Sequence, residues 1–196
     1  MKNIKKPETV LKINRGWWEQ HHKNKNKKWL TGTSLNYIKN CSDIKPKGTI
    51  LVVGVGLGND SRELIKEGNI VDALDVSNIA LTKASFRNTF IFPEKQPPEN
   101  TYDYIIMFLV AQHVNDEVLD IELGQLIKSL KPEGVLLLQY YENDIKYHGE
   151  LAEQHGGVSR SKQEMEDIVH KNKGIVCKYI NIEEHKWGVM HIVRNT

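Results

Sequence analysis

The sequence predicts a single α/β domain with a seven-stranded, mostly parallel sheet that ends in an antiparallel hairpin. From residue 49 onward, short runs of branched apolar residues alternate with longer amphipathic segments, which is typical of parallel strands joined by helices. Only the polar residues "EEHK" separate the last two apolar runs, and so short a connection favours a hairpin. The predicted strands are 49–54, 70–75, 89–92, 102–108, 134–140, 175–182 and 187–193.

Helices are predicted between these strands, where apolar residues recur at spacings of three and four. A glycine or proline marks several of their ends, at Gly68, Pro132 and Gly174. The predicted helices are 59–67, 79–87, 116–130 and 162–173.

The first 47 residues have a different composition from the rest of the chain. The segment "GWWEQHHKNKNKKWL" combines tryptophans, histidines and a lysine-rich run, and Thr31 or Thr33 could cap a helix that continues through Cys41. We expect a helical N-terminal cover at 1–47 that belongs to the same domain as residues 48–196. The lysine run is more typical of a solvated face than of a nucleic-acid patch.

Composition excludes several classes of protein. A chain of 196 residues fits one domain, and a formal net charge of +2 does not indicate a nucleic-acid partner. No apolar run reaches the roughly 20 residues of a membrane span, and there is no signal-peptide core, so we expect a cytoplasmic protein. Cys41 and Cys177 are far apart, which indicates neither a disulfide framework nor a metal site.

A glycine loop follows the first predicted strand. In "ILVVGVGLGNDS" the apolar run breaks at Gly54, Gly56 and Gly58 just before a helix. Glycines here let backbone N–H groups at a helix N-terminus approach a ligand closely. The dinucleotide fingerprint GxGxxG would need a glycine at Asn59, so the GxGxG spacing argues against a nicotinamide dehydrogenase.

The second predicted strand ends at Asp75, about 20 residues after the loop, where a carboxylate can accept hydrogen bonds from both hydroxyls of a ribose. The glycine loop alone could be an ordinary strand-to-helix turn. Loop and acid together predict an adenosine-type ligand.

These residues carry a resemblance to a known family. The segment "LVVGVGLGNDSRELIKEGNIVDALDVSNIALTKA" resembles the first two motifs of the class I S-adenosylmethionine-dependent methyltransferases. "YDYIIMFLVAQHV" and "LKPEGVLLLQYY" resemble their fourth and fifth strand regions, so that the resemblance covers about residues 48 to 141. It implies a Rossmann-like fold, S-adenosylmethionine as cofactor and methyl transfer as activity.

The resemblance also implies a set of cofactor contacts. The family usually carries an acid two positions before the first glycine and often another after strand three. This chain has Val52 at the first position and no acid at the second, which leaves the methionine ammonium to partners such as Asp60. Aromatic residues before the first strand often form a lid in this family, although Trp17 and Trp18 could instead belong to an amphipathic helix that packs on the sheet. The expected cofactor-binding residues are Gly54, Gly56, Gly58, Asp60, Asp75, Val76, Phe108, Leu109 and Trp18.

The substrate should meet the cofactor beyond the end of the fourth strand, since open α/β sheets bind ligands at the carboxyl ends of their strands. His113 follows that strand and could take a proton from a substrate hydroxyl. It could instead cap the next helix or pack under the cofactor. Tyr141 and His148 after strand five, with His22 from the N-terminal segment, are candidate substrate contacts.

The leading hypothesis is an S-adenosylmethionine-dependent methyltransferase that acts on a small molecule or on a sugar or glycan hydroxyl, without a metal. One alternative is methyl transfer to a protein or RNA nucleophile. Another is a non-catalytic cofactor-binding scaffold, which Val52 and the missing strand-three acid suggest.

Overall fold

The computed structural model describes residues 7–23, 35, 39, 44–143 and 157–195. Seven strands form one sheet in the order β3-β2-β1-β4-β5-β7-β6, and β7 runs antiparallel to both of its neighbours. This arrangement confirms the predicted fold class and the C-terminal hairpin. The strands are β1 Thr49–Val53, β2 Ile70–Asp75, β3 Thr89–Ile91, β4 Tyr102–Met107, β5 Leu130–Tyr141, β6 Gly174–Ile182 and β7 Trp187–Arg194.

Four helices accompany the sheet in the described residues: α1 Pro7–Lys23, α2 Asn59–Lys66, α3 Asp116–Ser129 and α4 Lys162–Lys171. Side chains cap two of them, since Asn115 accepts from Val118 N and Ser161 forms a capping box with Glu164. Leu35 and Lys39 are helical, and the rest of the helix expected from Thr31 or Thr33 to Cys41 lies outside the described residues.

Two predicted elements differ from the structure. The helix predicted at 79–87 is wrong, because only a short 3₁₀ turn forms there, at Ala80–Thr82. Strand β5 begins at Leu130, earlier than predicted, and its pairing with β4 shifts register between Tyr102 and Tyr104.

The central strands are buried on both faces, which explains why β1 is apolar from Ile50 to Val53. Leu51 and Val53 point to the side that α3 and α4 cover, whereas Ile50 and Val52 point to the side that holds Leu64 of α2. The alternation of β1 therefore divides the core into two layers around one sheet. No helix in the described part of the chain is long and apolar enough to cross a membrane.

A buried carboxylate holds the end of the segment predicted as a helix beside β2. Asp72, in the middle of β2, is fully buried and accepts hydrogen bonds from Arg87, Asn88 and Tyr102. Burial alone would raise the pKa of Asp72, but these hydrogen bonds outweigh it and hold the pKa below its ordinary value. Backbone hydrogen bonds from Arg87 N to Val71 O and from Ala73 N to Asn88 O also hold these two residues beside β2, so the predicted helix does not extend to Arg87.

We expect Asp72→Asn to lower the free energy of unfolding by about 2 to 4 kcal/mol, because an amide cannot replace the carboxylate toward Arg87 and Tyr102 together. Urea denaturation at pH 7 would measure the change. The matched control is Asp120→Asn, whose salt-bridge partner Lys171 has a side chain that is 70% exposed, so its change should stay below about 1 kcal/mol. Equal losses in both variants would contradict a special role for Asp72.

Candidate active site

A cavity opens at the topological switch point of the sheet, between β1 and β4, where the strand order reverses. β1 pairs in parallel with β2 on one side and with β4 on the other, so the loops that follow β1 and β4 leave the sheet toward different sides. The crevice between them lies at the carboxyl ends of the strands. The cavity is lined by Trp18, His22, Val53, Gly54, Gly56, Leu74, Asp75, Val76, Phe92, Leu109, Val110, His113, Val114 and Glu122.

Two glycines of the loop after β1 have different roles. A Cβ on Gly54 would lie 2.1 Å from Cγ2 of Val110, so glycine is needed for the close approach of the loops after β1 and β4. Gly56, with φ of +55°, lines the cavity, and a Cβ there would meet no atom within 4 Å. The space beside Gly56 is therefore free for a ligand against the bare backbone.

Asp75 joins the end of β2 to this loop. Its carboxylate accepts from Ser77 N at 2.8 Å and from Gly56 N at 3.5 Å. Burial raises the pKa of Asp75 to about 6, and the backbone donors counter part of that rise. A buried carboxylate at the cavity wall suits hydroxyl donors such as those of a ribose.

Helix α1 covers the cavity. Trp18 and His22, one turn apart, both line it, and His22 Nδ1 lies 3.1 Å from Ser77 Oγ. Burial, with smaller contributions from Lys83 and His21, lowers the pKa of His22 to about 4, so this imidazole is neutral at pH 7.

Arg15 holds α1 in this position. It donates to the carbonyl oxygens of Val76 and Phe92 at 2.9 and 2.7 Å and pairs with Glu94. Its guanidinium thus connects α1 to the loops after β2 and β3, both of which border the cavity.

The turn after β4 presents His113. The His113 ring lines the cavity and meets the Trp18 ring edge-to-face at a centroid distance of 4.9 Å. The turn is fixed from below by Arg160, which is fully buried and donates to the carbonyl oxygens of Ala111 and Val114 at 2.7 and 2.8 Å. The backbone that carries His113 is therefore held in place by a side chain from a distant part of the sequence.

The candidate residues named from the sequence divide into two groups. Asp60 accepts a hydrogen bond from Leu35 N, Phe108 packs in the core layer of Val52, and Tyr141 pairs with Trp187 across β5 and β7. These three side chains and Gly58 do not line the cavity, and His148 lies outside the described residues. The candidates that do line it are Gly54, Gly56, Asp75, Val76, Leu109, Trp18, His22 and His113.

Several lining residues were not anticipated from the sequence. Phe92, Val110 and Val114 provide apolar wall, and Glu122 of α3 brings a second acid. A signal for Glu122 exists, since it stands beside Leu123 on the stripe formed with Leu119 and Leu126, where a charged residue is out of place.

These residues fit the nucleoside of S-adenosylmethionine. The open space beside Gly56 admits a ligand against the backbone, and Asp75 offers acceptors for ribose hydroxyls. Val76, Phe92 and Val114 form an apolar wall suited to the faces of an aromatic base. Among the described residues there is no cluster of three His, Cys, Asp or Glu side chains that could hold a metal ion.

Comparison with known proteins gives a family and two curated relatives. A family model described as a methyltransferase domain matches residues 22–187. Phosphoethanolamine N-methyltransferase 1 of Triticum aestivum is 25% identical over 158 residues, which cover 67% of this chain and 31% of that protein. Phosphoethanolamine N-methyltransferase 2 of Caenorhabditis elegans is 28% identical over 158 residues, covering 70% and 35%. The chain thus spans about a third of the length of these relatives.

Solved structures share the fold. The 1,6-didemethyltoxoflavin-N1-methyltransferase of Burkholderia thailandensis, with bound 1,6-didemethyltoxoflavin and S-adenosylhomocysteine, superposes with a TM-score of 0.80 at 13% identity, covering 100% of this chain and 93% of that one. Phosphoethanolamine N-methyltransferase 2 of Haemonchus contortus, in complex with S-adenosyl-L-methionine, gives 0.67 at 16% identity, covering 100% and 59%. With the family model matched over most of its length and the predicted motifs at the ends of β1, β2 and β4, the chain belongs to the class I S-adenosylmethionine-dependent methyltransferases.

Proposed function

We propose that this chain transfers the methyl group of S-adenosylmethionine to a small-molecule acceptor, with a sugar or glycan hydroxyl as the preferred class. The observation that carries the proposal is the meeting of His113 with Trp18 in the same cavity as Gly56 and Asp75. A cofactor site and a candidate base thereby share one enclosed space. In this proposal residues 1–47 serve as the cover of a methyltransferase domain formed by 48–196, and a cytoplasmic location stays a prediction.

The chain's residues would act mainly by positioning. When bound, S-adenosylmethionine supplies a methyl group made electrophilic by its sulfonium. Gly56 leaves room for the ligand, Gly54 lets Val110 pack against the loop, and Asp75, ionised above pH 6, accepts the ribose hydroxyls. Trp18 and His22 exclude water from the cavity, so that the acceptor meets the methyl group in a fixed, dry geometry.

His113 is the proposed general base. A neutral imidazole nitrogen can accept the proton that the acceptor loses as its lone pair forms the new bond to the methyl carbon. Arg160 supports this role because it fixes the backbone on both sides of His113. Base assistance matters for a hydroxyl acceptor, whose proton is held tightly.

An amine acceptor is the second candidate. Both curated relatives are phosphoethanolamine N-methyltransferases, and the Burkholderia neighbour is an N1-methyltransferase. An uncharged amine is a stronger nucleophile than a neutral hydroxyl and can lose its proton after the bond to the methyl carbon has formed, so it needs His113 less than a hydroxyl does.

A direct test measures S-adenosylhomocysteine formed by the purified chain from S-adenosylmethionine, with matched panels of small hydroxyl and amine acceptors. Acceptor-dependent product supports the proposal and identifies the class. Product from a peptide or RNA pool alone would favour a macromolecular substrate. Tight cofactor binding with no product from any pool would indicate a scaffold.

We expect Gly56→Val to weaken S-adenosylhomocysteine binding by at least about 100-fold, because the branched side chain would fill the space beside the loop. Isothermal titration calorimetry would measure the change. Gly68→Val is the matched control, since Gly68 also has positive φ and open surroundings but lies away from the cavity. Both variants place a β-branched residue at positive φ, so an equal loss of affinity in the two would remove the loop from the site.

Asp75→Asn should weaken S-adenosylhomocysteine binding by about 1 to 3 kcal/mol, because two charge-assisted hydrogen bonds to the ribose become neutral ones. The wild-type affinity should fall as pH drops below about 6, where Asp75 takes up a proton, and the Asn variant should lack this dependence. Titrations between pH 5 and 7.5 would reveal both effects. A dissociation constant equal to that of the wild type in Asp75→Asn would contradict the proposal that Asp75 binds the ribose.

His113→Ala should lower turnover by roughly 10² to 10⁴-fold while the cofactor dissociation constant stays within a few-fold, since base catalysis acts in the transition state. Single-turnover rates with a hydroxyl acceptor would show the loss. Unchanged turnover, or a parallel loss of cofactor binding, would make His113 a structural neighbour.

A further inference from the structure

Glu122 is a buried acid in the wall of the cavity. It lies on α3, its residue is only 5% exposed, and it lines the same space as Asp75 and Phe92. Among the described residues no hydrogen bond is made to its carboxyl group, although Asn115, Asp120 and other polar groups of α3 and its cap are paired. A polar group in this position needs a partner, and the cavity is where one can come from.

The surroundings of Glu122 restrict what that partner can be. Val76, Phe92 and Val114 supply apolar surface on the cavity wall, while Asp75 lies beside the glycine loop, next to Gly56. If Asp75 accepts the ribose hydroxyls, the part of the nucleoside that enters the apolar region is the base. An adenine ring has apolar faces and a polar edge, and that edge carries an amino donor beside a ring-nitrogen acceptor.

We propose that the carboxyl group of Glu122 binds the adenine edge of S-adenosylmethionine, with its carbonyl oxygen accepting from the N6 amino group and its hydroxyl donating to the adjacent ring nitrogen. This inference rests on the proposed function. It gives the chain an acid on α3 that recognises adenine, whereas Glu94, the acid in the segment after β3, is paired with Arg15 and does not line the cavity.

The charge state of Glu122 agrees with this role. Burial, and then repulsion from Asp75, raises the pKa of Glu122 to about 8. Asp75 on β2 is the charged group that acts on it; His22 of α1, in the same cavity, is neutral at pH 7, and His113 of the turn after β4 also lines that cavity. A protonated carboxyl group has one donor and one acceptor, the complement of the adenine edge, whereas a carboxylate has no donor.

The sign of the pH effects follows from the raised pKa. Without ligand, the stability that Glu122 contributes is complete below its unfolded pKa and is lost as pH rises through about 8. Cofactor affinity should decline over the same upper range, because the ionised group cannot donate to the ring nitrogen.

The test compares Glu122→Gln and Glu122→Leu with wild type by calorimetric titration of S-adenosylhomocysteine from pH 6.5 to 9.5. The Gln amide keeps one donor and one acceptor, so its affinity should stay within about 3-fold of wild type at pH 7 and should not decline above pH 8. Glu122→Leu should bind about 10- to 100-fold more weakly, having lost both hydrogen bonds. Glu117→Gln and Glu117→Leu, at an exposed position of the same helix, are the matched controls and should bind normally.

Two further readouts separate binding from folding. The melting temperature of ligand-free Glu122→Leu at pH 9 should rise, since an ionised, unpaired buried group has been removed, while its cofactor affinity falls. An S-adenosylhomocysteine analogue with purine in place of adenine, which lacks the amino group, should bind wild type more weakly than the parent compound does. The Leu variant should not distinguish the two compounds.

The outcomes are separable. Wild-type protein that fails to bind S-adenosylhomocysteine would overturn the proposed function itself. Wild-type binding that Glu122→Leu leaves intact would overturn only the role of Glu122. If Glu122→Gln bound S-adenosylhomocysteine as weakly as Glu122→Leu, the proposal that Glu122 binds adenine in its protonated form would be overturned. If Glu122→Leu lost stability and affinity in parallel, the role of Glu122 would be structural.

Discussion

The parallel pairing of β1 with both β2 and β4 is the constraint on which the rest of this molecule depends. The crevice exists because the loops after β1 and β4 diverge, and it stays narrow because Gly54 lets Val110 approach where any side chain would collide. Each residue that lines the crevice lies at a strand end, in the loop that follows a strand, or on helix α1 or α3. The GxGxG spacing is therefore as much a packing requirement as a ligand-binding one.

Three buried acids show how the same side chain serves different purposes. Asp72 is surrounded by donors, and its pKa is lowered. It links β2 to the segment before β3 through Arg87 and to the start of β4 through Tyr102. Asp75 has only backbone donors, and Glu122 has no hydrogen-bond donor among the described residues, so burial raises both pKa values. Acids whose charge the protein itself does not compensate are the ones that face the cavity, which is the pattern expected at a functional site.

Much of the fold was readable from local pattern, because strand alternation, helix periodicity and the short "EEHK" connection each act within a few residues. Asp75 and His113 could be placed at the cavity for the same reason, since Asp75 ends β2 and His113 lies in the turn after β4. The helix predicted at 79–87 was wrong, and its last residue, Arg87, is held beside β2 by Asp72, a contact between segments that periodicity does not encode. Arg160 was missed because it acts on Ala111, 49 positions earlier in the chain. Phe108 and Leu109 were both expected at the cofactor. Because neighbouring residues of an extended chain point to opposite sides, Phe108 lies on the same side as Ile106 and packs in the core.

Arg15 has a consequence for how the N-terminal helix and the cofactor influence each other. Its guanidinium bonds the carbonyl oxygens of Val76 and Phe92, and these two residues also wall the cavity. Docking of α1 and occupation of the cavity therefore draw on the same two loops. The free energy by which docking of α1 strengthens ligand binding equals the free energy by which a bound ligand strengthens docking of α1, because thermodynamic linkage is reciprocal. The N-terminal helix is in this sense a second ligand of the domain, covalently tethered and present at a fixed local concentration.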